Sequence, residues 1–166
     1  MRVVEGQADV DDVGTFVERL DAVADDHGVV VQAFDARYVV DRRHLERAVE
    51  LARRARDRDD AIADDFGVEI LLYAAGRRQI DRALRMGVSG GECPVVAVVV
   101  GDGDEDAERA AAESVERLLT PGETLGESDP ERVRSFFDVT ETELAATEGT
   151  LADAVRERVA LLPVEK

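Results

Sequence analysis

Cysteine and lysine are almost absent from this chain of 166 residues, with Cys93 and Lys166 the single representatives of their types. One thiol closes no internal disulfide. Two histidines, His27 and His44, with no cysteine pair cannot build an ordinary zinc site. Lysine-based Schiff-base or phosphate chemistry is excluded unless Lys166 performs it. No apolar stretch approaches the roughly 20 residues that cross a bilayer, so no membrane partner is expected. Met1-Arg2-Val3-Val4-Glu5 runs into an acidic segment with no apolar signal region, and a cytoplasmic protein is expected. The length suits one domain over residues 1–166, and 45% apolar residues suffice for a core.

Charge of one sign dominates what is present. Thirty-eight acids against 21 basic residues give a net charge of −17. An acidic, lysine-poor surface keeps a protein soluble in concentrated salt, so the composition points to a halophilic source. The charge is unevenly spread. Residues 37–85 hold twelve arginines against ten acids, while the remaining 117 residues carry a net of −19. Arginine is the side chain suited to bidentate phosphate contacts. The same island also reads as a helix laced with ion pairs.

Periodicity places the elements. A short strand at Val3 and Val4 precedes a helix with Val10, Val13, Phe16, Val17, Leu20, Val23 and Ala24 along one face, capped by an Asp at 9 or 11 and stopped by Gly28. Residues 29–34 read as a strand and 37–40 as extended chain. Asp41 caps a second helix whose inner face is Leu45, Ala48, Val49, Ala52 and Ala55. Residues 61–66 predict a helical turn. The continuous apolar run 68–73 predicts a central strand, followed at Gly76 by a helix over 77–86 with Ile80, Ala83 and Leu84 inward. Residues 95–100 form a further strand, 104–119 a helix and 120–129 a loop, and helices near 130–137, 140–146 and 150–162 close the chain. The fold class is α+β, a mixed sheet of four or five strands covered by helices.

Catalytic patterns are scarce. No serine sits in a nucleophile elbow, and Cys93 beside Pro94 reads as a packed thiol. The acidic run 101–106 lacks the alternating ligands of a calcium loop, and the glycines at 87, 90 and 91 match neither a dinucleotide fingerprint nor a phosphate loop. No cofactor and no metal are expected. Gly76-Arg77-Arg78-Gln79 stands where the predicted strand meets the predicted helix N-terminus. Backbone N–H groups, the dipole and two guanidinium groups there could converge on a phosphate. Gln79 adds a side chain able to read a base edge, and Ile80 an apolar surface for a base. The alternative is a glycine turn with two solvated arginines.

The run Ile62-Ala63-Asp64-Asp65-Phe66-Gly67-Val68-Glu69-Ile70-Leu71-Leu72-Tyr73-Ala74-Ala75-Gly76-Arg77-Arg78-Gln79-Ile80, with Ala83 and Gly87, resembles the kinase-binding subunit of the KEOPS complex, the TPRKB family. Val39-Val40-Asp41-Arg42-Arg43-His44-Leu45 and the stretches Gly149-Thr150-Leu151 and Arg158-Val159-Ala160-Leu161-Leu162 agree with it. Alanine at position 75, where the family often has serine, and the acidic region 101–129 depart from it. The resemblance implies a noncatalytic subunit of the assembly that makes threonylcarbamoyladenosine in tRNA. Such a subunit docks on the complex's small atypical kinase and ATPase subunit and, in archaeal members, binds the 3′ CCA end of tRNA. Arg42, Arg43, Arg77, Arg78, Gln79 and Ile80 are the candidate tRNA-binding residues.

In the last helix Leu151, Val155, Val159 and Leu162 recur at core spacing, leaving Leu161, Pro163 and Val164 at a fraying end. Val159, Leu161, Leu162 and Val164 are the candidate kinase contacts, and removal of residues 161–166 is expected to leave most of the fold intact. The rival from another class is a phosphate-ligand sensor or small-molecule enzyme built on the Gly76-Arg77-Arg78 helix N-terminus. A third reading is a structural adaptor whose arginines only pair with neighbouring acids.

Overall fold

The computed structural model describes residues 1–146 and 149–165, with side chains as far as Pro163 in the last helix. The fold is α+β, and the chain forms two compact units, residues 1–36 with 87–125 and residues 37–86 with 126–166. Among the described residues the sheet has four strands in the order β2-β3-β1-β4. These are β1 (Arg2–Val10), β2 (Val30–Asp35), β3 (Gly91–Val100) and β4 (Thr120–Pro121). Every pairing is antiparallel, so the expected mixture of strand directions does not occur.

In the first unit, α1 (Val13–His27) and α5 (Glu105–Glu116) pack with the sheet. Phe16 and Leu20 of α1 and Ala111, Ala112 and Val115 of α5 share a core with Val4, Ala8 and Val10 of β1, and with Cys93, Val95, Ala97 and Val99 of β3. β1 is longer than the two valines suggested and takes in Val10. Its inward positions Gly6 and Ala8 are small, which hides the two-residue alternation. Asp12, rather than 9 or 11, caps α1, accepting from the N–H of Thr15 at 3.0 Å, and Gly28 stops it in the left-handed region. The two-residue β4 replaces part of the loop expected over 120–129. The Glu5 carboxylate accepts from the N–H groups of Thr124 and Leu125 at 2.9 and 2.7 Å, and the Thr124 hydroxyl donates to the Val95 carbonyl at 2.7 Å.

The second unit is helical: α2 (Arg42–Asp57), α3 (Phe66–Ala75), α4 (Ile80–Ala83), α6 (Pro130–Phe137), α7 (Glu141–Ala146) and α8 (Leu151–Glu165). α2 packs on α3 and α8, and α6 on α8. Residues 68–73, expected as a central strand, are helix. Nearly all of α3 is buried, so its sequence has no polar face to betray a period of 3.6. Asp65 caps it through the N–H of Val68 at 3.0 Å. Buried Glu69 accepts from the backbone N–H groups of Ile62 and Ala63, and no helical turn forms over 61–66. A 3₁₀ turn at Ala36–Tyr38 replaces the expected extended chain, and another at Leu84–Met86 follows the single turn of α4, so the helix expected over 77–86 is broken.

Candidate nucleic-acid interface

Because residues 66–75 are helix, Gly76 closes a helix where the sequence predicted the opening of one. It is the C-cap of α3 in the left-handed region at φ 60°, and the N–H groups of Gly76 and Arg77 donate to the carbonyls of Tyr73 and Leu72, both at 3.1 Å. Those N–H groups are thus spent, and the end of α3 presents the negative pole of its dipole. The anion site expected at a helix N-terminus here is overturned, and the phosphate-sensor reading built on it loses its site.

Arg77 has a structural task. Its guanidinium donates to the Phe136 carbonyl, pairs with Asp138 at 3.2 Å and lies 5.4 Å from the Phe136 ring centre. Arg158 donates to the carbonyls of Phe137 and Asp138 at 3.2 and 3.3 Å and to Glu143 at 2.8 Å, which holds the Glu143 carboxyl below the usual range. Two guanidinium groups therefore satisfy the last carbonyls of α6, at the pole where positive charge is favoured.

Arg78, Gln79 and Ile80 are exposed. Ala83 and Met86, both fully buried, pin the segment down, while Ile80 at 47% and Leu84 at 57% exposure stand outward one turn apart. Ile80 and Leu84 were both expected inward, and of the three positions in that reading only Ala83 is buried. The break at residue 84 turns Leu84 to solvent, and Met86 takes the buried position. Arg82 and Arg85, absent from the candidates drawn from the sequence, join Arg77, Ser135, Phe136 and Asp138 around a cavity of about 140 Å³.

Arg42 and Arg43 lie elsewhere. Arg42 pairs with Glu46 at 3.3 Å, and Arg43 lines a separate groove of about 490 Å³ between α2 and α8, where Arg47, Glu50, Asp153 and Arg156 interleave opposite charges. Arg47 and Arg54 both pair with Glu50 at 2.9 Å, and Arg56 stacks over Phe66 at 4.1 Å. On α2 the arginine island is largely a lattice of ion pairs. At the other end of the unit Val159 and Leu162 are buried, Leu161 is 38% exposed, and the side chain of Val164 lies outside the described residues.

Among the described residues no group of three or more His, Cys, Asp or Glu side chains could hold a metal, and no helix is long and apolar enough to cross a membrane. The chain is thus an α+β protein whose 78–85 segment exposes apolar and basic side chains next to one another. The chain belongs to the kinase binding protein CGI-121 family, whose model matches residues 8–162 and so spans both units. No individual curated protein matches it.

Proposed function

We propose that this protein is the noncatalytic, kinase-binding subunit of the KEOPS tRNA-modification complex and that its 78–85 surface holds the 3′ CCA end of tRNA. Membership of a kinase-binding family supports the first part. The second rests on one observation: Ile80 and Leu84 stand exposed on a short, anchored segment beside Arg78, Arg82 and Arg85. Apolar side chains interleaved with guanidinium groups suit a single-stranded end, whose unpaired bases can lie on a small surface while the phosphates meet arginine. Arg78 and Gln79 remain in this assignment. Arg77 supports the surface from below, and Arg42 and Arg43 are peripheral to it.

The test is a titration of tRNA with and without its CCA tail in molar KCl. Binding should require the tail and be abolished by Ile80→Glu, a change at an exposed position that leaves the fold intact. Equal binding of tailless tRNA would refute the assignment. The kinase is met through the exposed side of the 159–164 segment.

A further inference from the structure

We propose that the cavity bounded by Arg77, Arg82, Arg85, Ser135 and Asp138 is a phosphate seat, in which Arg82 and Arg85 grip the anion and Asp138 limits how tightly it is held. The inference rests on the RNA reading for the source of the phosphate, though not for the existence of the seat.

Size comes first. About 140 Å³ is well below the roughly 300 Å³ at which sites for drug-sized ligands begin, so the cavity admits one small polar group and not a nucleoside. Charge selects which group. Three guanidinium groups face one carboxylate in a chain whose net charge is −17. Elsewhere on this unit arginines find carboxylates: Arg42 takes Glu46, Arg54 takes Glu50 and Arg132 takes Asp129. Arg82 and Arg85 have no ion pair among the described residues, although Asp81 is adjacent to one and four residues before the other. Two forked donors facing a small cavity whose one carboxylate, Asp138, is paired with Arg77 match a tetrahedral oxyanion, with the Ser135 hydroxyl as a further donor.

The elements make the seat firm. Arg82 and Arg85 flank buried Ala83 and stand beside buried Met86, so their backbone is fixed. Arg77 is held by the Phe136 carbonyl as well as by Asp138, and it remains a wall of the cavity if the acid is neutralised. Ile80 and Leu84 belong to the same segment. A phosphate in the seat therefore brings its attached nucleoside next to the apolar surface. The shared chemistry is a phosphate group, and its source is either an RNA phosphodiester or a free phosphate ester.

The test follows the arginine Nε–Hε signals by NMR while inorganic phosphate replaces chloride at constant ionic strength, alongside fluorescence anisotropy with a single-stranded RNA ending in CCA. Arg82→Ala/Arg85→Ala and Asp138→Asn are the variants. All three positions are exposed, and Asn tolerates the left-handed φ of 55° found at position 138. Phosphate should move the Arg82 and Arg85 signals. The double variant should lose that response and bind the RNA about tenfold or more weakly, and Asp138→Asn should tighten both ligands. Unmoved signals, with RNA affinity unchanged in the double variant, would overturn the seat. If RNA binding depends on Ile80 but not on Arg82 and Arg85, the seat falls and the RNA reading stands. If phosphate moves both signals while the protein binds no RNA, the RNA reading falls and the seat serves a free phosphate ester.

Discussion

The Nε2 atom of His44 lies 2.7 Å from the carbonyl oxygen of Ala74, joining the first turn of α2 to the last turn of α3. The Val40 N–H points at Nδ1 from 3.3 Å, so Nδ1 accepts and Nε2 carries the proton that Ala74 receives. The ring is fully buried and stacks edge-on against Phe137 at 5.7 Å. Burial opposes the imidazolium and lowers the pKa from 6.5 to about 4.

A pH dependence follows. Between pH 6.5 and about 4 the unfolded chain protonates His44 while the folded chain does not, so stability is complete above 6.5 and falls as the pH falls through that window. Two and a half units correspond to about 3 kcal/mol. Urea unfolding of the wild type at pH 7.5 and 4.5 should show most of this loss, the remainder following below about pH 4, and His44→Leu should remove most of the dependence while being less stable at pH 7.5. An equal slope in that variant would assign the effect to other groups.

Two glycines at left-handed helix ends should respond differently to alanine. Gly28 at φ 64° has open space where a Cβ would stand, so Gly28→Ala carries only the backbone strain of about 1 kcal/mol. At Gly76 the new Cβ would meet the Arg158 carbonyl oxygen at 3.3 Å and the Arg158 Cβ at 3.5 Å. Gly76→Ala should therefore cost about 2 kcal/mol or more, because α8 must shift as well. Thermal unfolding of the two variants decides this, and equal losses would show that α8 yields freely.

What the sequence disclosed depended on burial. Helices with one wet face, such as α2 with its Asp41 cap and α1 with its Gly28 stop, were legible from period and punctuation. β3 was legible because a run of valines suits a strand buried on both faces. The run 68–73 has the same look for a different reason, since α3 is buried too, and apolar content alone does not separate the two. The deciding marks were at its ends: Asp65 as cap, Glu69 in the first turn and Gly76 just beyond the last. Misreading that one element displaced the candidate site, because it turned a helix end into a helix start at Gly76. Ile80 was legible as an apolar surface for a base but not as an exposed one, since the period placed it inward, and Arg82 and Arg85 became visible only when the 77–86 segment proved to be two short turns over a cavity.

The C-terminal helix separates support from contact. Leu162 is buried, so Leu162→Ala should destabilise the protein by about 2–5 kcal/mol. Removing residues 161–166 would take this core residue as well and should cost at least as much stability, so the point substitution at Leu161 is the cleaner probe of contact. Leu161→Asp, at an exposed position, should change stability by no more than about 0.5 kcal/mol yet weaken association with the kinase about fivefold or more. Calorimetry of the variant with purified kinase checks this, and unchanged affinity would move the interface off this face.

Salt distinguishes a local RNA site from a diffuse basic face. In molar KCl the Debye length is about 3 Å, so the long-range repulsion from a net charge of −17 and the attraction to scattered arginines both fade. Counterion release contributes less as salt rises. What persists are contacts at hydrogen-bond or van der Waals distance, of the kind that Ile80, Leu84 and the neighbouring arginines can make. Arg56 is the informative comparison, because it belongs to the same arginine island but rests on the Phe66 ring at 4.1 Å. Arg56→Ala should lower stability by about 0.5–1 kcal/mol through the lost cation–π contact and leave RNA affinity in molar KCl nearly unchanged. Ile80→Glu should do the reverse, holding stability within about 0.5 kcal/mol and costing about 1–3 kcal/mol or more in RNA binding. Anisotropy titrations of both folded variants at two KCl concentrations decide the matter. Equal weakening by the two substitutions would mean that the α2 arginines carry the RNA and that the 78–85 surface has no special part in holding it.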